Sequence, residues 1–100
     1  MQLLNVGFGN TVMADRVIAV INTGSSPARK IKELAKQAER LIDVTEGRRT
    51  RSILIMDSNH VVLSSVQSDT IAQRVAALQL GSGLSEYREM FKSEREEEQK

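Results

Sequence analysis

Ser26-Pro27, followed by Ile31, Leu34, Ala35, Ala38, Leu41 and Ile42, constrains this chain more than any other stretch. Those apolar residues recur at spacings of three and four, which lines them along one face of a helix. Ser26 is suited to cap the first turn, and Pro27 at the first helical position loses nothing by lacking an N–H. Arg29, Lys30, Lys32, Glu33, Lys36, Glu39 and Arg40 take the remaining faces, and Gly47 marks a turn beyond them. A helix of this kind is solvated on its outer side and needs an apolar layer beneath it.

The flanking segments read as strands that supply that layer. Leu3 to Phe8 predicts a first strand, closed by Gly9-Asn10, because both residues tolerate positive φ. Met13 to Asn22 holds the continuous run Val17-Ile18-Ala19-Val20-Ile21, and Thr23 to Ser26 is a loop. Arg48 to Asp57 predicts a third strand and Val61 to Val66 a fourth, joined by the turn formers Asp57-Ser58-Asn59-His60 into a hairpin. Ser68-Asp69 caps a second helix carrying Ile71, Val75 and Leu78. Gly81-Ser82-Gly83 breaks it. The tail then places Leu84, Tyr87, Met90 and Phe91 at helical spacing before a charged end expected to be disordered. The order ββαββα predicts an α+β domain over residues 1–80: a four-stranded, mostly antiparallel sheet with its helices on one face. A C-terminal helical or partly disordered tail is expected over 81–100.

Function classes fall away quickly. There are no cysteines, which excludes disulfides, thiolate metal sites and a cysteine nucleophile. His60 is the one histidine and sits in a turn, without an evident catalytic partner, so no enzyme, metal, cofactor or small-molecule substrate is expected. No apolar run approaches the ~18 residues of a membrane span, and residues 1–15 lack a basic stretch leading into an apolar one. A cytoplasmic protein that does not engage membranes is the expectation. Gly7-Phe8-Gly9-Asn10 could be read as a phosphate-cradling loop, but without a following helix or a Lys-Ser pair it fits a bulge and turn better.

The charge that remains to be explained is local. The net charge is only +1, yet Arg29 to Arg51 contains eight basic against four acidic residues. At its end stands Gly47-Arg48-Arg49-Thr50-Arg51, three arginines in four residues after a glycine turn. Strand alternation would send Arg49 and Arg51 to the face of Ile53 and Ile55, with Arg48 and Thr50 pointing the other way. Arginines this close repel one another, and anionic oxygens relieve the repulsion through bidentate contacts. The competing reading is an intersubunit ion-pair cluster with Asp43, Glu46 or Asp57. Anion binding is favoured over that reading, and with aromatics at 3% stacking on single-stranded nucleic acid is disfavoured.

Residues 5 to about 78 also resemble the RemA family of bacterial extracellular-matrix regulators. The resemblance rests on Asn5-Val6-Gly7-Phe8-Gly9-Asn10, Arg16-Val17-Ile18, the helix start at Pro27, Asp43 to Arg51, and Met56-Asp57-Ser58-Asn59-His60-Val61 through Gln67. It implies a transcriptional regulator of matrix or biofilm genes that assembles into a ring of identical subunits on the nucleoid. It also implies that Arg48 and Arg49 contact DNA, with Arg51 and Arg16 matching the same set. Pro27 and Gly47 would support the site by fixing the helix start and the turn. Asp15 departs from the family's pattern, and an acid there would be expected to hold Arg16 in an ion pair. The alternatives are an architectural protein binding DNA or RNA, and a protein-interaction module that uses the tail. A ring would compensate for the modest charge of each copy, since linked weak sites gain avidity.

Overall fold

The computed structural model describes residues 2–80. Strands β1 (Leu3–Gly7) and β2 (Asn10–Met13) form an antiparallel hairpin of their own, and a 3-10 turn over Ala14–Arg16 leads on to β3 (Val17–Asn22). Helix α1 (Ser26–Gln37), strands β4 (Leu41–Asp43), β5 (Ser52–Met56) and β6 (Val61–Ser64), and helix α2 (Ser68–Leu80) follow. The larger sheet has the order β3-β5-β6-β4. Its ladders are antiparallel except between β4 and β6, which run parallel. The expected α+β class with a four-stranded, mostly antiparallel sheet is therefore what the chain adopts. The tail expected over 81–100 lies outside the described residues.

The membership of the sheet differs from the expectation, for a local reason. The helical periodicity that includes Leu41 and Ile42 outruns the helix itself. Glu39 adopts a left-handed conformation (φ 57°), Arg40 N–H donates to Ala35 C=O at 2.8 Å, and Glu39 N–H donates to Lys36 C=O at 3.2 Å. That is a Schellman cap with glutamate where glycine is usual. The chain then turns into β4, whose Leu41, Ile42 and Asp43 pair with Val61, Val62 and Leu63. β1 leaves the fourth place in the sheet vacant because it folds back on β2, and β4 takes it. The β5–β6 hairpin forms as expected: Asn59, at φ 70°, donates its N–H to Met56 C=O at 3.0 Å, and Met56 N–H donates to His60 C=O at 2.9 Å.

The helices lie on opposite faces of the sheet, and the expectation of one face is corrected accordingly. Ile53-Leu54-Ile55 and Val61-Val62-Leu63 are apolar at consecutive positions, so β5 and β6 present core residues in both directions. Ile53, Val61 and Leu63 meet Ala28 and Ala35 of α1, with Ile21, Ile31 and Leu41 around them. Leu54 and Val62 face the other way, into Leu4 and Val6 of the hairpin, Ala14, and Ile71 of α2. The hairpin is tied to the sheet by Ser64, whose hydroxyl donates to Val6 C=O at 2.7 Å and accepts from Val66 N–H at 3.0 Å. Truncating Leu54, fully buried at the centre of the larger cluster, to alanine costs about 2–5 kcal/mol for a residue so enclosed.

Candidate nucleic-acid interface

The arginines stand on the connection between β4 and β5, and its base is fixed by an acid. Asp43 Oδ1 accepts from the Thr45 hydroxyl at 2.6 Å and from Thr45 N–H at 2.9 Å. These two bonds bury Thr45 and hold the Asp43 carboxyl below its ordinary value, the hydroxyl contributing most and Lys32 adding a smaller attraction. Glu46 (φ 53°) and Gly47 (φ 76°) then form a turn closed by Arg48 N–H on Thr45 C=O at 2.9 Å. Two consecutive positive φ angles define the type I′ family. Arg51 N–H reaches Ser64 C=O at 2.8 Å, and β5 begins one residue later.

The arginine cluster is thus a loop, and the alternation expected of a strand does not govern it. Its residues before Arg51 have no ladder to set their faces. Arg48, Arg49 and Arg51 are exposed, and among the described residues no carboxylate pairs with any of them. Within one chain the ion-pair reading therefore finds no partner: Asp43 is engaged by Thr45, and Asp57 by Arg16.

Beside this loop lies the tip of the β1–β2 hairpin. Gly7 (φ 106°), Phe8 (φ 54°) and Gly9 (φ 76°) are all left-handed, after a register shift between Asn5 and Gly7. The bulge and turn read from the sequence is what forms. Asn5 Oδ1 accepts from Gly7 N–H at 2.8 Å, Asn10 Nδ2 donates to Gly7 C=O at 3.1 Å, and Arg74 Nη1 donates to Asn5 C=O at 2.9 Å. Phe8 is 52% exposed, and the guanidinium of Arg48 lies over its ring at 5.9 Å from the centroid. A bulky residue at positive φ costs about 1–3 kcal/mol, so Phe8 is held there by its surroundings at a loss. Sequence reasoning did not single out Phe8, and its glycine flanks were the available signal.

Arg16 and Pro27 occupy different ends of the sheet. Arg16 Nη1 pairs with Asp57 Oδ2 at 3.0 Å, not with Asp15, where β3 begins and β5 ends. The five residues of β5 separate Asp57 from Arg51, about six steps of extended chain and roughly 20 Å at strand rise. The fold therefore does not bring Arg16 to the cluster within one chain. Pro27 is the second residue of α1, after Ser25 at the N-cap position, one residue earlier than expected. The Ser25 hydroxyl donates to Asn22 C=O at 2.7 Å instead of capping the helix. Asn22 pairs with Ser52, so the start of α1 and the arginine loop share an end of the sheet. His60 Nδ1 lies 2.7 Å from the Ser58 hydroxyl. Among the described residues no helix is long and apolar enough to cross a membrane.

The model of a family described as RemA-like, extracellular matrix regulatory protein A-like, matches residues 3–75. A protein of Desulfotalea psychrophila is 73% identical over 92 residues, covering 92% of this chain and 82% of the relative. One of Syntrophobacter fumaroxidans is 58% identical over 74 residues, 74% of this chain and 79% of its own length. Another, of Fervidobacterium nodosum, is 58% identical over 72 residues, 72% and 77% of the two chains. All three carry the name "Putative regulatory protein".

Proposed function

The chain belongs to the RemA-like family, and on that premise we propose that it is a transcriptional regulator that binds duplex DNA as a ring-shaped homo-oligomer. The observation that carries this reading is the loop Gly47 to Arg51, with three exposed arginines that no carboxylate neutralises among the described residues. Guanidinium groups left unpaired in this way are suited to phosphate, which takes the in-plane N–H donors two at a time. Arg48 and Arg49 are the principal contacts, and Arg51 extends them. Gly47 shapes the turn, and Pro27 fixes the start of α1 at the same end of the sheet. Arg16, already engaged by Asp57, is a secondary contact that depends on assembly.

Oligomerisation is supported by the apolar surface that one copy leaves in water: Leu3, Ile18, Leu34 and Ile42 are all exposed. A ring repeats the arginine loop on one DNA molecule, and the salt dependence then steepens with each phosphate neutralised. Its targets are genes of the extracellular matrix and biofilm, and its place is the nucleoid. Gel-shift titration of Arg48→Ala with Arg49→Ala tests the DNA assignment: binding falls at least a hundredfold and the salt slope shrinks. Unchanged binding and slope would overturn it. Light scattering on the wild-type protein gives a mass of several subunits, and a monomer at micromolar concentration would remove the ring.

A further inference from the structure

We propose that Phe8 is a positioning residue, a platform that holds the Arg48 guanidinium ready for a phosphate; the proposal rests on the DNA-binding reading of the arginine loop. The guanidinium lies over the Phe8 ring at 5.9 Å, within the range of cation–π attraction. A cation held over the ring face keeps the N–H donors on its side away from the ring open to an anion. An exposed arginine loses side-chain freedom when it binds, and a contact with the ring formed beforehand removes part of that loss.

The backbone supports the same assignment. Turn chemistry alone would favour glycine or asparagine at position 8, because its φ of 54° lies in the left-handed region. The phenylalanine there is half exposed, outside either core cluster. Its ring is unfavourable for the turn and useful to Arg48. The frame around it is firm: Asn5 and Asn10 fix the tip from either side, and a Cβ at Gly7 would approach Val66 Cγ2 to 3.3 Å. Arg49, the next residue, has no such platform among the described residues. The two neighbouring arginines therefore differ: Arg48 is set in advance and Arg49 is recruited.

A double-mutant cycle on the full chain tests this with a defined duplex at fixed salt. Phe8→Leu weakens binding about three- to tenfold, the range expected for an exposed cation–π contact and the ordering it saves. The same change has no further effect in an Arg48→Ala background, yet keeps its effect in an Arg49→Ala background. Phe8→Trp retains wild-type affinity, and Phe8→Asn weakens binding while unfolding at the same or a higher temperature. An equal Phe8→Leu effect with and without Arg48 would overturn the proposal. So would a change of oligomeric mass in Phe8→Leu, which would assign the ring to contact with a second copy. If Arg48→Ala with Arg49→Ala leaves binding intact, the DNA reading fails. If that variant loses binding while Phe8→Leu does not, the platform alone fails.

Discussion

At the β5–β6 turn, Arg16 commits its guanidinium to Asp57 at 3.0 Å, Arg40 donates to Ser58 C=O at 3.3 Å, and His60 meets the Ser58 hydroxyl. At the opposite end of the same sheet, Arg48, Arg49 and Arg51 crowd into four residues with no carboxylate on any of them among the described residues. Both ends are exposed loops rich in polar groups, so exposure does not distinguish them. The difference lies in where the acids are used: Asp57 neutralises a cation, while Asp43 is taken up by Thr45 and fixes the base of the arginine loop. One end closes its electrostatics within the chain. The other leaves them open, and an open cluster of like charge is lowered in energy by an incoming anion.

The sharpest way to break this contrast is to put an acid inside the arginine cluster itself. Arg49→Glu supplies a partner to Arg48 and Arg51 and removes a cation. DNA binding then falls by more than about a hundredfold by gel shift, and chemical denaturation finds the fold within about 0.5 kcal/mol of wild type. A variant that binds normally would mean that the free arginines are only a solvated surface. Gly47→Ala comes next. With φ at 76° a Cβ is strained although space is open, so stability falls by about 1–2 kcal/mol and binding weakens severalfold as the turn shifts. Thermal unfolding and the same titration read both effects.

Smaller effects are expected at the closed end. Arg16→Ala weakens binding less than about threefold, and Asp57→Asn lowers stability by less than 1 kcal/mol, the range of exposed ion pairs. A hundredfold loss from Arg16→Ala would make the two ends equal partners and dissolve the comparison. The least effect concerns Asp43. Its carboxyl is held below its ordinary value, so its stabilisation is present above the ordinary carboxylate range and is lost as pH falls through the lowered value. Wild type therefore loses a small stability advantage over Asp43→Asn below about pH 4, visible in urea unfolding at pH 6 and pH 3.

The local signals in the sequence carried much of the fold. Asp57 to His60 specified a hairpin because turn formers lie between apolar runs, and Ser26-Pro27 located the start of α1 to within one residue. The end of α1 was hidden because Glu39 performs a task usually given to glycine, while Leu41 and Ile42 extend the helical spacing into a strand. The identity of the arginine cluster was legible and its conformation was not, since Arg48 to Arg51 read as strand and fold as loop. Contacts remote in sequence were out of reach. Asp15, the near neighbour of Arg16, was the natural partner to expect, yet Asp57 arrives from 41 residues away. Phe8 likewise meets Arg48 only because the hairpin packs against the sheet.

The parallel pairing of β4 with β6 also implies an order of assembly. The β5–β6 hairpin closes over a few residues and can form early, whereas Leu41 must wait for Val61, twenty positions on and beyond that hairpin. The arginine loop joins β4 to β5, so one anchor exists before the other. Pulsed hydrogen exchange would find Ile53 to Leu63 protected before Asp43 to Thr45, and simultaneous protection would contradict the sequence of events. The loop acquires its shape only when β4 docks on β6, and a chain caught short of that step carries its three arginines without the frame that gathers them.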